Sequence, residues 1–404
     1  MAWSTGWTVL DPLPGGNYSQ AYGVSRDGSV VVGVARAADG TNYPVYWTDT
    51  PPHQPVSLGS VGPGTNGYAW GISADGSTIV GFVWLGPGVE HPFYWTSASG
   101  IVQLPIDGRG YACSADGSIV VGTGSPLGIT HGFYWTGGVT TDLPPATPGQ
   151  FVFAPDVSDD GSVVSYMSDF DGVRWTPGGG PVVIGSSLLT YAVSGDGITI
   201  VGQGADNTPY RWTALGGFES LGSTGGAYAA VDATPDGSII AGYGAAPGLS
   251  NIPFLWTAAT GISYLPRPVG YETYEVYANA VNGDGSIVVA YAQDGNYRGM
   301  VYKAAPAAGV LTVAQVGIRV QRNLSMTINH ASLAAAADPA VTTDKLQYTL
   351  NGHPAYGTLY LRGVPITTGA TFTQQDIDNS LLVYVQNDDT ATADSFPYTC
   401  AVLP

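Results

Sequence analysis

Charge is what this 404-residue sequence has least of: Asp, Glu, Lys and Arg make up 10% of it, against about a quarter in ordinary soluble domains. Only two lysines occur, Lys303 and Lys345, and the acids leave a formal net charge of −18. Such a surface repels phosphate backbones and anionic lipid, so neither nucleic acid nor a membrane surface is an expected partner. Two cysteines, Cys113 and Cys400, are too few for a disulfide framework. Long apolar runs are also missing, so no membrane insertion by a helix is expected. The opening Met1-Ala2-Trp3-Ser4-Thr5-Gly6-Trp7 lacks the basic and apolar regions of a signal peptide. No segment holds a 3.6-residue apolar period, which excludes helical repeats.

Catalytic motifs are equally scarce. The histidines, His53, His91, His131, His330 and His353, show no zinc-ligand spacing, and no phosphate-binding Gly-rich loop ends in Lys-Ser or Lys-Thr. No metal and no cofactor is expected. Carboxylates that could serve a glycosidase occur at Asp156, Asp159, Asp169 and Asp171 and at Glu272 and Glu275. The arginines that would accompany such a site (Arg26, Arg109, Arg174, Arg211, Arg267) fall at non-equivalent positions, so solvated loop acids are the preferred reading. No catalytic residue is assigned.

What is abundant is glycine, proline, tyrosine and β-branched residues, the composition of short strands joined by tight turns. Seven times the chain returns to an Asp-Gly pair ahead of an aliphatic run. The pairs are Asp27-Gly28, Asp75-Gly76, Asp116-Gly117, Asp160-Gly161, Asp196-Gly197, Asp236-Gly237 and Asp284-Gly285. A Ser, Thr or Asn stands two residues before each Asp. An aromatic strand ending in Trp-Thr follows, at Trp47, Trp95, Trp135, Trp175, Trp212 and Trp256. In the seventh unit Lys303 takes the place, after Met300-Val301-Tyr302. Four short strands in roughly 40 residues make one propeller blade. The expected fold is therefore all-β: a seven-bladed β-propeller over residues 1–305, a linker at 306–311, and an immunoglobulin- or cadherin-like β-sandwich over 312–404.

The Asp-Gly pairs read as two-residue hairpin turns in which the glycine takes positive φ. One carboxylate per turn is too few for calcium, so the role is structural. The seventh unit has only three strands of its own. Residues 7–13 resemble a lone fourth strand and are expected to complete that blade and close the ring.

The stretch Ala21-Tyr22-Gly23-Val24-Ser25-Arg26-Asp27-Gly28-Ser29-Val30-Val31-Val32-Gly33 and its six echoes resemble HAF-type extracellular repeats of bacterial surface and secreted proteins. In the last hundred residues, Leu346-Gln347-Tyr348, Pro354 to Leu359, Phe372 to Ile377, Leu382-Val383-Tyr384 and Asp394-Ser395-Phe396 resemble the cadherin-like chondroitin-sulfate-proteoglycan repeat. The histidine common after its Tyr-containing strand is replaced by Val385-Gln386-Asn387. That resemblance implies a spacer or adhesive module. Asp376, Asp378, Asp388, Asp389 and Asp394 are considered as calcium ligands and read as solvated loop acids.

The uniform Asp-Gly turns should share one face of the disc, and the variable second-to-third loops and blade-to-blade links (84–91, 123–131, 243–252, 266–276 and 292–298) the other. Tyr68, Trp84, Phe151, Tyr271, Tyr274 and Tyr297 are the candidate ligand-binding residues of that loop face. Extracellular-type modules without a leader suit a non-enzymatic bacteriophage virion protein, made in the host cytoplasm and displayed on a tail fibre or capsid. Its expected partners are other virion proteins or a host-surface glycan or protein, with homo-oligomerisation compatible. The alternatives are a bacterial surface or secreted adhesin and a propeller glycosidase or lyase.

Overall fold

The computed structural model describes residues 3–304, apart from 63, 87–88, 125–130, 223–227 and 246–250. Beyond these it describes 312–315, 325–328, 333–336, 346–387 and 396–402. The chain divides into two units, Met1–Ala304 and Ala305–Pro404. The linker expected at 306–311 lies outside the described residues, as do Asp388, Asp389 and Asp394.

The first unit consists of seven four-stranded antiparallel sheets. Their inner strands are, in blade order, Ser19–Val24, Asn66–Ile72, Gly108–Cys113, Val152–Val157, Leu189–Val193, Tyr228–Ala233 and Glu275–Val281. Each inner strand touches the next and the seventh touches the first, which closes the ring. Six blades are built from consecutive strands. In the seventh, Gly6–Val9 forms the outer strand and pairs antiparallel with Tyr297–Lys303. Trp3, Leu10, Val31, Trp47, Val289 and Val301 share one buried cluster, so the N-terminal segment packs into blades one and seven together. In the seventh blade Tyr302, opposite Val288, occupies the register position that Trp47 holds opposite Val31 in the first.

The Asp-Gly hairpins depart from a two-residue turn. Ser25 N–H donates to Val30 C=O (2.8 Å), leaving four residues in the loop, and Gly28 N–H donates to Ser25 C=O (2.9 Å). Only the glycine has positive φ (76°). The aspartate instead serves as an acceptor: Asp27 Oδ1 receives Ser25 Oγ–H (2.7 Å) and Ser29 N–H (2.9 Å), while Ser25 Oγ receives Val30 N–H (3.0 Å). A buried Ser and a carboxylate thus satisfy donors that no ladder reaches. Asn282 Oδ1 plays the serine's part in blade seven, accepting from Ile287 N–H (2.8 Å).

Around the axis these turns are joined edge to edge. Arg26 N–H donates to Ala74 C=O, Ala74 to Ala115, Ala115 to Asp159, Asp159 to Gly195, Asp196 to Pro235, and Gly283 back to Arg26 (2.8–3.0 Å). The step from blade six to blade seven has no such bond from Pro235, which carries no N–H.

The second unit is also β-rich. One sheet orders Ser325–Ile328, Leu382–Gln386, Gly357–Leu361 and Val364–Pro365; a second places Leu346–Leu350 between Thr371–Thr373 and Tyr398–Val402. Ile328, Leu346, Tyr348, Leu350, Leu359, Phe372, Ile377, Leu382 and Tyr384 form the core. The run read from sequence as part of an all-β module contains one helical turn, Gln374–Asp378, capped by Thr373 and Asp376. Asp376, considered above as a calcium ligand, accepts from Arg362 (2.7 Å) and from Thr373 N–H (2.9 Å), so it is committed to the cap.

Candidate functional site

The loop face and the axial channel hold the side chains available for recognition. Of the six aromatics assigned to the loop face, Trp84, Phe151 and Tyr274 are exposed. Trp84 stands within the strand Thr78–Gly86, opposite Glu90, so the loop expected from residue 84 begins later. Phe151 (54% exposed) is held by a reciprocal pair of bonds: its N–H donates to Asp169 Oδ1 and its C=O accepts Asp169 N–H (both 2.9 Å). That pairing sets Phe151 and Phe153 beside the loop that carries Phe170 (73% exposed).

The other three are packed. Tyr68 belongs to an inner strand, stacks on Phe82 (5.1 Å) and accepts from Asn42 Nδ2 (3.0 Å). Tyr297 opens the strand Tyr297–Lys303 and meets Tyr18 and Tyr291 edge-on. Tyr271 packs against the cluster of Val276, Ala290, Ala292 and Met300. Tyr68 and Tyr297 therefore serve the walls of the ring and not its rim.

The channel has a regular origin. In all seven blades the pairing of the first and second strands shifts register by a bulge. The extra residue on the inner strand is Tyr22, Trp70, Tyr111, Tyr191, Val231 or Asn279 in six of them, and these line a cavity of about 260 Å³. A bulge re-aims a side chain that the pleat would otherwise turn into the sheet. Trp70 stacks on Tyr111 (4.5 Å) and meets Tyr22 edge-on (5.8 Å). Tyr18 and Tyr22 both donate to Gln20 Oε1 (2.5 and 2.6 Å). Burial pushes the hydroxyls of Tyr18 and Tyr191 up to about 12 and Tyr22 upward as well, so all three are neutral at physiological pH.

Next to the bulge, five blades carry Gly or Ala; blades four and six carry Asp156 and Asp232, and both line the cavity. Asp156 Oδ2 accepts Val193 N–H of blade five (2.8 Å). Asp232 accepts Val281 N–H of blade seven and Ala233 N–H (both 2.8 Å). The Asp232 bond bridges the one step at which Pro235 cannot donate. Asn279 Nδ2 makes the comparable bridge from blade seven to Ala21 C=O (2.6 Å). Burial pushes Asp156 up to about 6 and, with Asp156 repulsion added, Asp232 up to about 7. Among the described residues no basic side chain pairs with either carboxylate.

At the Asp-Gly end, Arg26 of blade one and Asp159 of blade four form an ion pair across the axis. The carboxylates grouped in sequence are thus dispersed: Asp156 in the channel, Asp159 in the cross-axis pair, Asp169 in the loop brace. Asp171 opens a strand, Glu272 accepts Gly270 N–H (2.9 Å), and Glu275 accepts the Tyr277 hydroxyl (2.5 Å). Among the described residues no group of three His, Cys, Asp or Glu is placed to hold a metal ion.

With this geometry in hand, comparison with known proteins identifies the two parts. Residues 310–401 match the family model described as Cadherin-like. The β-propeller domain of Cps50 (Swd1) from Myceliophteria thermophila superposes with a TM-score of 0.51 at 10% identity, over 74% of this chain and 100% of that one. A chain of a Mitotic Checkpoint Complex superposes with a TM-score of 0.51 at 16% identity, over 74% of this chain and 94% of that one. No curated protein matches the chain. The molecule is a β-propeller followed by a cadherin-like domain.

Proposed function

We propose that this protein is a non-enzymatic adhesion module that engages a protein or glycan on an outer surface through the loop face of its propeller. The observation that carries this reading is where the exposed aromatics lie. Apart from Phe218 on an outer strand, those of the described propeller residues (Trp84, Phe151, Phe153, Phe170 and Tyr274) stand at the ends of strands and links on the loop face. Exposed aromatics on a rigid scaffold supply contact area at small entropic cost, and interfaces concentrate them. The cadherin-like domain suits a spacer that presents the propeller away from an anchor. A virion surface is the favoured setting, with a bacterial cell surface as the alternative.

The test is a binding comparison on intact bacterial cells and a glycan array, using wild type and a Phe151→Ser/Phe170→Ser variant. Binding reduced at least about tenfold with an unchanged melting temperature supports the reading. Equal binding by the two proteins, or release of reducing sugar from any bound glycan, overturns it.

A further inference from the structure

We propose that the axial channel binds a small organic ammonium ion, seated between the aromatic bulge residues and the carboxylates of Asp156 and Asp232. Three features converge on that chemistry. The first is the wall: Tyr22, Trp70, Tyr111 and Tyr191 all border one cavity of about 260 Å³, large enough for an alkylammonium head group. Aromatic rings attract cations through their quadrupoles, and they do so most where water is excluded.

The second feature is charge without compensation. Arg26, the cation at the Asp-Gly end of the channel, is already paired with Asp159. Asp156 and Asp232 accept backbone N–H groups but pair with no basic side chain among the described residues. Buried carboxylates resolve such a deficit by protonation or by a counter-cation.

The third feature is selectivity for an organic ion. Asp156 and Asp232 are the carboxylates bordering the cavity, and much of the remaining lining is aromatic or aliphatic, a poorer match to the all-oxygen cage of calcium than to an organic cation. Glycine or alanine occupies the equivalent position in the other five blades, so the two acids break the ring's repetition where it faces the cavity. Asp232 bridges the step that Pro235 leaves open, but Asp156 spans a step already joined by Asp159 N–H to Gly195 C=O, so ring closure does not account for both acids.

The charged and titratable groups facing the two carboxylates are Tyr22, Tyr111, Tyr191 and Cys113 on neighbouring inner strands, with Arg26 and Asp159 below. Burial raises the pKa of Tyr22, Tyr191 and the Cys113 thiol, so these three stay neutral near pH 7. Cation binding therefore displaces protons from the carboxylates and strengthens as pH rises.

Calorimetric titration of the full chain with choline, and with its uncharged isostere 3,3-dimethylbutan-1-ol, tests the proposal directly. Choline is expected to bind at least ~10-fold more tightly than the alcohol, and ~10-fold more tightly at about pH 8 than at about pH 5. Asp156→Asn/Asp232→Asn is expected to abolish that preference while Leu215→Ala, in an exposed turn outside both sites, leaves it intact. Equal affinity for choline and the alcohol, no binding by choline, or calcium binding in its place each overturns the proposal. Because the loop-face residues are untouched in these titrations, none of those outcomes bears on the adhesive reading.

Discussion

Arg26 and Asp159, 133 residues apart in sequence, meet across the axis and tie blade one to blade four. Two glycines leave room for them: a Cβ on Gly283 would lie 2.5 Å from Arg26 Cγ, and one on Gly195 would lie 2.4 Å from Asp159 Oδ2. Gly195→Ala is expected to cost about 1–3 kcal/mol, since its Cβ collides with the carboxylate. In an Asp159→Ala background the same change should cost less than half as much. Urea denaturation of the four proteins of this double-mutant cycle measures the coupling, and additive costs would show that the crowding lies elsewhere.

The outer strand of blade seven gives a second expectation. Leu10 is fully buried beside Val31 and Val301, and Trp7 Nε1–H donates to Pro266 C=O (2.5 Å). Leu10→Ala should cost about 2–5 kcal/mol. Deleting residues 1–14 should go further, lowering the melting temperature and raising amide exchange across 297–303. An unchanged melting temperature after the deletion would show that the strand does not hold the ring shut.

The seven turns are separately testable. The hydroxyl of Ser114, followed by Ser118 N–H, lowers the pKa of Asp116 below the usual carboxylate range. A depressed carboxylate contributes stability above its unfolded pKa and loses it as pH falls through the folded value. Asp116→Ala should therefore cost about 1 kcal/mol near neutrality and nothing at a pH below the depressed value. Equilibrium denaturation at the two pH values checks both halves.

Asp232 has the opposite sign. Its pKa is raised to about 7, so between the unfolded value near 4 and about 7 the folded state binds the extra proton. Stability then falls as pH rises through that window and levels off above it. In buffers free of organic cations, Asp232→Asn should flatten this slope and gain melting temperature relative to wild type from pH 5 to pH 8. Parallel melting curves across the range would mean that the carboxylate is not proton-bound in the fold.

Much of this architecture is legible in the sequence because the turn is a local device. Ser25-Arg26-Asp27-Gly28 and its echoes carry their own hydrogen-bonding partners, so seven of them mark seven blades without tertiary knowledge. Lys303, following Met300-Val301-Tyr302 where the other units have Trp-Thr, hides a regular position: Tyr302 stands where the tryptophans do. The candidate site is less legible. Tyr68 and Tyr297 read as loop residues but lie in strands, because a strand end and a loop share the same composition. Asp156 reads as a solvated acid and Asp232 does not stand out at all, since a bulge leaves no mark in a single repeat. A signal was present: two residues before the Ser, Thr or Asn of each turn, the series runs Gly23, Gly71, Ala112, Asp156, Ala192, Asp232 and Ala280.

The strand Tyr297–Lys303 has a further consequence. It leads into the second unit, and it is flanked on both sides, by Ile287–Gln293 and by Gly6–Val9. Tension applied through the C-terminal domain therefore enters the propeller along a strand gripped by two ladders. Those hydrogen bonds lie across the direction of pull and resist it in shear, many at once, instead of peeling open one after another. Pulling that strand out would therefore require both ladders to fail together before the propeller lost its shape.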